Sequence, residues 1–230
     1  MCSSYRKQND DVCHKEREEK MKFFHVGDLH LGKQLHGYDL IKDQEHMLEE
    51  LLSYIKKEQP DAVLIAGDIY DRAVPSGTAM QLLEQFFIQA DELAKEQKAV
   101  EIILIAGNHD AAKRLQYGSS FMKRHHIHIA VMPPQQEDAN LEQVTLTDQE
   151  GVVHFYLLPY TKPGMIRHWV EQEELANTQD AVKFLLEREQ IDWNERNVLL
   201  SHQFYLHANE DTVLCDSETP SFSVGGLDSI

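Results

Sequence analysis

Three apolar runs, each closed by a glycine and a set of polar residues, constrain this chain more than any other feature. Phe23-Phe24-His25-Val26 is followed by Gly27-Asp28-Leu29-His30. Ala62-Val63-Leu64-Ile65-Ala66 is followed by Gly67-Asp68-Ile69-Tyr70-Asp71, and Ile102-Ile103-Leu104-Ile105-Ala106 by Gly107-Asn108-His109-Asp110. Short apolar runs bounded by glycine read as buried strands. Asp28, Asp68 and Asn108 stand at intervals of 40 residues. That is enough chain for a strand, a helix and the return to a parallel neighbour. Glycine allows the sharp turn, and open α/β sheets bind ligands at the carboxyl ends of their strands. Gly107 to Asp110 alone would be as well explained by a loop whose Asn and Asp make turn hydrogen bonds. The repetition decides against that reading. Asp28, His30, Asp68, Asp71, Asn108, His109 and Asp110 all come to one sheet edge, where crowded carboxylates cannot all stay ionised without cations. A divalent-metal site is the expectation.

The rest of the chain supplies helices for those strands and a second sheet. Asp43 to Lys57 carries Met47, Leu48, Leu51, Leu52 and Ile55 on one helical face. Ser76 is a fitting N-cap for a helix with Met80, Leu83, Phe87 and Leu93 inward. Leu31 to Tyr38 is a loop over the site, where Lys33 and His36 are within reach of a phosphate backbone or are simply exposed. Ala112 to Arg124 is expected to be helical, with Gly118 its weak point. His125, His126 and His128 read as a solvated turn with no carboxylate beside them. Val144 to Leu146 and Val152 to Leu158 alternate as antiparallel strands turning at Glu150-Gly151. Helices are expected over 165–175 and 178–189. Asn197-Val198-Leu199-Leu200 is a further buried strand, and it delivers His202 to the same edge.

Charge and cysteine content narrow the function classes. A net charge of −17 argues against a protein that binds DNA mainly through its own basic surface. Cys2, Cys13 and Cys215 form no CxxC pair, and an odd count of three suits a reducing cytoplasm. No apolar run approaches the roughly 18 residues that would span a membrane. Residues 1–20 are polar with nearly balanced charge, and they read as a disordered extension ahead of Met21, itself a candidate start. Cys13-His14 is too little to be a metal site.

Asp28-x-His30, Gly67-Asp68, Gly107-Asn108-His109-Asp110 and the strand-end His202 together resemble the calcineurin-like metallophosphoesterase superfamily. Asp28 to Lys33, Gly67 to Asp71 with Pro75-Ser76, Leu158-Pro159-Tyr160, Asp216-Ser217-Glu218 and Val224 to Asp228 narrow the resemblance to SbcD-type nuclease subunits. The similarity runs from Met21 to Ile230. It implies an α/β fold, a two-sheet β sandwich flanked by helices (αββα), and a pair of Mn²⁺ ions. Asp28 and His30 would hold one ion, Asn108 and His202 the other, and Asp68 would bridge them. His109 would be the catalytic residue facing the phosphate, with Asp71 and Asp110 orienting ligand imidazoles. Mixed carboxylate, amide and imidazole donors suit Mn²⁺.

The resemblance further implies exonuclease and endonuclease action on double-stranded DNA ends and hairpins, in repair, recombination and replication. The implied partner is an SbcC-like ATPase, with a homodimer of the nuclease inside a heterotetramer. The superfamily also uses a Gly-His-x-His motif that does not occur in this sequence. Residues 21–230 are therefore expected to be a nuclease domain ending before that motif and a capping region, weak or inactive by itself. Two other readings stay open: a phosphoesterase acting on a small substrate, and a non-catalytic scaffold with an incomplete metal site.

Overall fold

The computed structural model describes residues 20–96, 98–170 and 175–205. The N-terminal extension, His207 and the motifs after residue 210 lie outside the described residues. The first strand, β1 (Phe23–Val26), leads into a short hairpin of β2 (Gln34–Leu35) and β3 (Tyr38–Asp39), and then α1 (Ile41–Glu58). Next come β4 (Ala62–Ala66), α2 (Gly77–Glu96) and β5 (Glu101–Ile105). Two short helices, α3 (Ala112–Leu115) and α4 (Ser119–Met122), precede β6 (Ile127–Ala130). β7 (Glu142–Asp148) and β8 (Gly151–Leu158) form a hairpin, followed by α5 (Pro163–Ile166), α6 (Thr178–Arg188) and β9 (Arg196–Ser201).

The strands form two stacked sheets. The first has the order β1-β4-β5-β6 and is parallel throughout. The second has the order β7-β8-β9, antiparallel then parallel. Alternation within each strand gives every sheet two apolar faces. Leu64, Ile103 and Ile105 meet Phe155, Leu157 and Leu200 between the sheets. Val63, Ile65, Ile102 and Leu104 face α1 and α2, while Tyr156 and Leu158 face α5 and α6 through Ile166, Val182 and Leu185. The result is the helix–sheet–sheet–helix sandwich expected from the sequence. No helix of the described residues is long and apolar enough to cross a membrane.

Some expectations need correction. Met80 points outward, at 49 % exposure, because the inward stripe of α2 is Ala79, Leu83, Phe86, Phe87 and Ala90. The helix after Asp110 is broken by Gly118, which adopts the left-handed conformation and caps a second short helix. Among the described residues, the helix near residue 165 covers Pro163–Ile166, and residues 171–174 of the expected helix lie outside the described residues. The 31–38 loop contains the β2–β3 hairpin, turned by left-handed His36 and Gly37.

His125, His126 and His128 do have carboxylates beside them. Glu101 at the start of β5 lies 2.8 Å from His126 Nδ1 and 2.7 Å from His128 Nε2. Asp91 on α2 lies 3.1 Å from His125 Nδ1. Parallel pairing of β5 with β6 brings these residues together, and sequence separation hides it.

Candidate metal centre

Register fixes the site before any side chain is considered. Val26 pairs with Ile65, and Ile65 with Leu104, so the three glycine turns leave the sheet side by side. The loops stay laced together beyond the strands. His30 N–H donates to the Asp68 carbonyl at 2.9 Å, and Leu31 N–H to that of Ile69 at 2.9 Å. The second sheet joins the same edge, where Tyr160 N–H donates to the Ala106 carbonyl at 2.9 Å.

The glycines are demanded by close approach. A Cβ on Gly107 would stand 2.1 Å from Asp68 Oδ1, and one on Gly67 would stand 2.4 Å from His202 Nδ1, neither of which a real side chain can do. Asp28, His30 and Asp68 themselves have φ of 55°, 43° and 47°. Non-glycine residues adopt this left-handed region at a cost of about 1–3 kcal/mol each, and such strain clusters at functional sites.

Asp68 is the hub. It is 3 % exposed. Its Oδ2 lies 3.6 Å from His30 Nε2 and 3.9 Å from His109 Nε2. Its Oδ1 lies 3.5 Å from His202 Nε2 and accepts the His109 backbone N–H at 2.9 Å. Asp28 Oδ1 stands 3.7 Å from His30 Nε2, and Asn108 Oδ1 stands 3.1 Å from His202 Nε2. Most of these donor atoms are too far apart to hydrogen-bond well, yet close enough to share an ion about 2.0–2.2 Å from each.

Two clusters of donors meet on Asp68: His30, Asp68 and His109, and Asp28, Asp68 and His202. Asp28 and His30, expected on one ion, also stand together, and His109 lies among the donor atoms. His202 donates its Nδ1–H to the Ala66 carbonyl at 2.7 Å, and His109 its Nδ1–H to the Asp71 carbonyl at 2.8 Å. Each imidazole is thereby oriented with Nε2 turned to the centre, as metal-binding histidines are. His30 Nδ1 is buried without a hydrogen-bond partner, and the Asp71 carboxylate is the nearby anion at 3.8 Å. The donor set and its spacing fit divalent cations.

Burial and charge act in opposition here. Burial alone would raise the Asp68 pKa, but hydrogen bonds from His202 and the His109 N–H override it and hold the carboxyl low. Burial would lower the His202 pKa; its bonds to Asp68 and the Ala66 carbonyl push it up instead. His30 is pulled down, chiefly by burial. Asp110 is pushed up by burial. Its carboxylate accepts the N–H groups of Gly107, Ile69 and Tyr70 at 2.9, 3.1 and 3.0 Å. Asp110 thus clamps two ligand loops through their backbone, where the sequence had suggested that it orients an imidazole.

One important residue has no signature in the sequence. Gln44 on α1 is buried and reaches into the first ligand loop. Its Nε2 donates to the carbonyls of His30 and Leu29 at 2.8 and 3.1 Å, and its Oε1 accepts the Gly32 N–H at 2.9 Å. A lone polar residue in an amphipathic helix gives no sequence signal for such a role.

The matches to known proteins follow the same lines. The calcineurin-like phosphoesterase family model covers residues 21–221, and the chain belongs to that family of phosphoesterases. Within it, the chain is 32 % identical over 212 residues to the SbcD subunit of the nuclease SbcCD from Staphylococcus epidermidis, an alignment covering 91 % of this chain and 52 % of the relative. The SbcD protein of Staphylococcus saprophyticus matches equally, at 32 % over 212 residues. The chain spans about half the length of the curated relatives it matches.

Proposed function

We propose that this chain is the phosphoesterase domain of an SbcD-like nuclease, hydrolysing phosphodiester bonds at double-stranded DNA ends and hairpins. The observation that carries the reading is the placement of Asp68, buried, with imidazoles approaching each of its oxygens. A shared carboxylate of this kind suits two divalent ions held close together. In this reading Asp28 and His30 serve one ion, Asn108 and His202 the other, and Asp68 both. Bound Mn²⁺ would supply Lewis acidity and positive charge at the scissile phosphate.

The chain's own groups do the rest. His109 is the ring most open to substrate: 43 % of its side chain is exposed, against 16 % for His30 and 15 % for His202. Its Nδ1–H is fixed on the Asp71 carbonyl, so Nε2 is the atom left to hand a proton to the departing oxygen. Asp110 and Gln44 keep the ligand loops in register. An acidic chain of this kind works as part of an assembly, with an SbcC-like ATPase partner and a second copy of the nuclease supplying more of the DNA surface. We place it in the cytoplasm and in DNA repair, recombination and replication.

The test is incubation with linear duplex DNA and Mn²⁺, with EDTA as the control and a small chromogenic phosphate ester in parallel. Mn²⁺-dependent degradation of the duplex is expected, slow for this chain by itself and faster with an SbcC-like ATPase added. Turnover of the ester alone would replace the reading with a small-substrate phosphoesterase. Metal binding with turnover of neither substrate, even with that ATPase present, would replace it with a scaffold.

A further inference from the structure

The loops around the centre differ in charge from the rest of the chain. Five segments follow the carboxyl ends of β1, β4, β5, β8 and β9 and surround the site. Over residues 27–39, 67–76, 107–118, 159–168 and 202–205 they contain six basic residues, Lys33, Arg72, Lys113, Arg114, Lys162 and Arg167, and no glutamate. Their acidic residues are five aspartates, and four of these (Asp28, Asp68, Asp71 and Asp110) are the centre itself. The whole chain, by contrast, carries −17. Its excess acid lies elsewhere.

Two of these cations stand beside the centre, one on the His30 loop and one on the His202 side. Lys33 follows His30 by three residues, and its backbone N–H donates to the His30 carbonyl at 3.0 Å. Lys162 lies on the His202 side. Its Nζ stands 5.3 Å over the Tyr160 ring, and that ring meets His202 edge-on with 6.3 Å between centroids. The backbone beneath Lys162 is well fixed. Thr161 is fully buried with its hydroxyl bonded to the Pro159 carbonyl at 2.8 Å, and Gln203 Nε2 donates to the Thr161 carbonyl at 3.3 Å. Among the described residues no carboxylate forms an ion pair with either ammonium, whereas Arg72 is paired with Asp71.

We propose that Lys33 and Lys162 contact phosphates on either side of the scissile one, so that the rim of this site recognises a continuous polynucleotide backbone. The inference rests on the nuclease reading and gives it a substrate-binding surface. A phosphomonoester or small diester has no flanking phosphates to meet one cation on the His30 loop and another on the His202 side. A polynucleotide always has them. The Tyr160 ring positions Lys162, screening its aliphatic stem and holding the ammonium near the His202 side.

The experiment is fluorescence anisotropy of a labelled linear duplex with the whole chain in EDTA, where no turnover occurs, across a range of NaCl. Each phosphate contact contributes about 0.9 to the slope of log affinity against log salt. Lys33→Gln and Lys162→Gln should each flatten the slope by about that amount, and the double variant by about twice as much. Lys162→Arg should keep the wild-type slope. Lys98→Gln, at the opposite edge where Lys98 pairs with Asp61, should leave the slope unaltered. An unaltered slope in both rim variants, an equal fall in Lys98→Gln, or no salt-dependent binding by the wild type would overturn the inference. Mn²⁺-dependent degradation of duplex DNA would still stand apart from those outcomes as support for the nuclease reading.

Discussion

Gln44→Leu is the sharpest test of how this fold holds its centre. The change keeps side-chain size and helix propensity while removing both polar atoms. In the wild type those atoms satisfy the Leu29 carbonyl, the Gly32 N–H and one lone pair of the His30 carbonyl. The His30 carbonyl also accepts the Lys33 N–H, so it keeps a partner. Two backbone groups are left stranded beneath the inner face of α1. Each costs about 1–3 kcal/mol, and better burial of a leucine returns about 1 kcal/mol. The net loss should be about 1–5 kcal/mol, a fall in Tm of about 2–4 °C per kcal/mol for a chain of this size. Urea denaturation with linear extrapolation measures it. If the loop instead frays locally, global stability changes less and the loss moves to the ligands on that loop. Asp28 and His30 would then bind Mn²⁺ about 10–100-fold more weakly by calorimetry. Gln44→Glu should be worse than Gln44→Leu, because it turns a carboxylate on two carbonyls. A loss under about 0.5 kcal/mol together with unchanged Mn²⁺ affinity would refute the reasoning.

Three further outcomes are expected. Asp68→Ala should abolish both Mn²⁺ sites in a calorimetric titration, while Asn108→Ala should weaken one; identical losses would rule out a shared carboxylate. His109→Ala should retain Mn²⁺ and lose turnover by about 10²–10⁴-fold in a protein with measurable nuclease activity; loss of bound metal would make His109 a ligand, as its place among the donor atoms permits. Glu101→Gln should lower thermal stability at neutral pH. Burial would raise this carboxyl's pKa, but hydrogen bonds with His128 and His126 override it and hold it below the ordinary glutamate value. Its contribution is therefore present above its unfolded pKa and lost as pH falls through the lower folded value. The gap between variant and wild type should close over that acidic range, and a gap independent of pH would contradict the account.

What could be read in the sequence was whatever repeats locally. A strand of β-branched residues, a glycine and a ligand is a self-contained unit, and three copies at equal spacing give both the parallel sheet and the edge where Asp28, Asp68 and Asn108 meet. His202 was legible for the same reason, being one more polar residue directly after an apolar strand. Interactions between units were not legible. Gln44 lies twelve residues from the Gly32 N–H that it accepts; in the sequence it is one more polar residue beside Asp43 and Glu45. Asp110 looks like a partner for an imidazole until the neighbouring loop supplies two N–H groups from Ile69 and Tyr70. Glu101 and His128 are 27 residues apart and become neighbours only through strand register. The same limit applies to Lys162, whose place near the site depends on the parallel pairing of β8 with β9. Chemistry at the strand ends is written locally because each ligand needs its own turn. Support for it is distributed across the fold, because a buried backbone group can be satisfied by any element that reaches it.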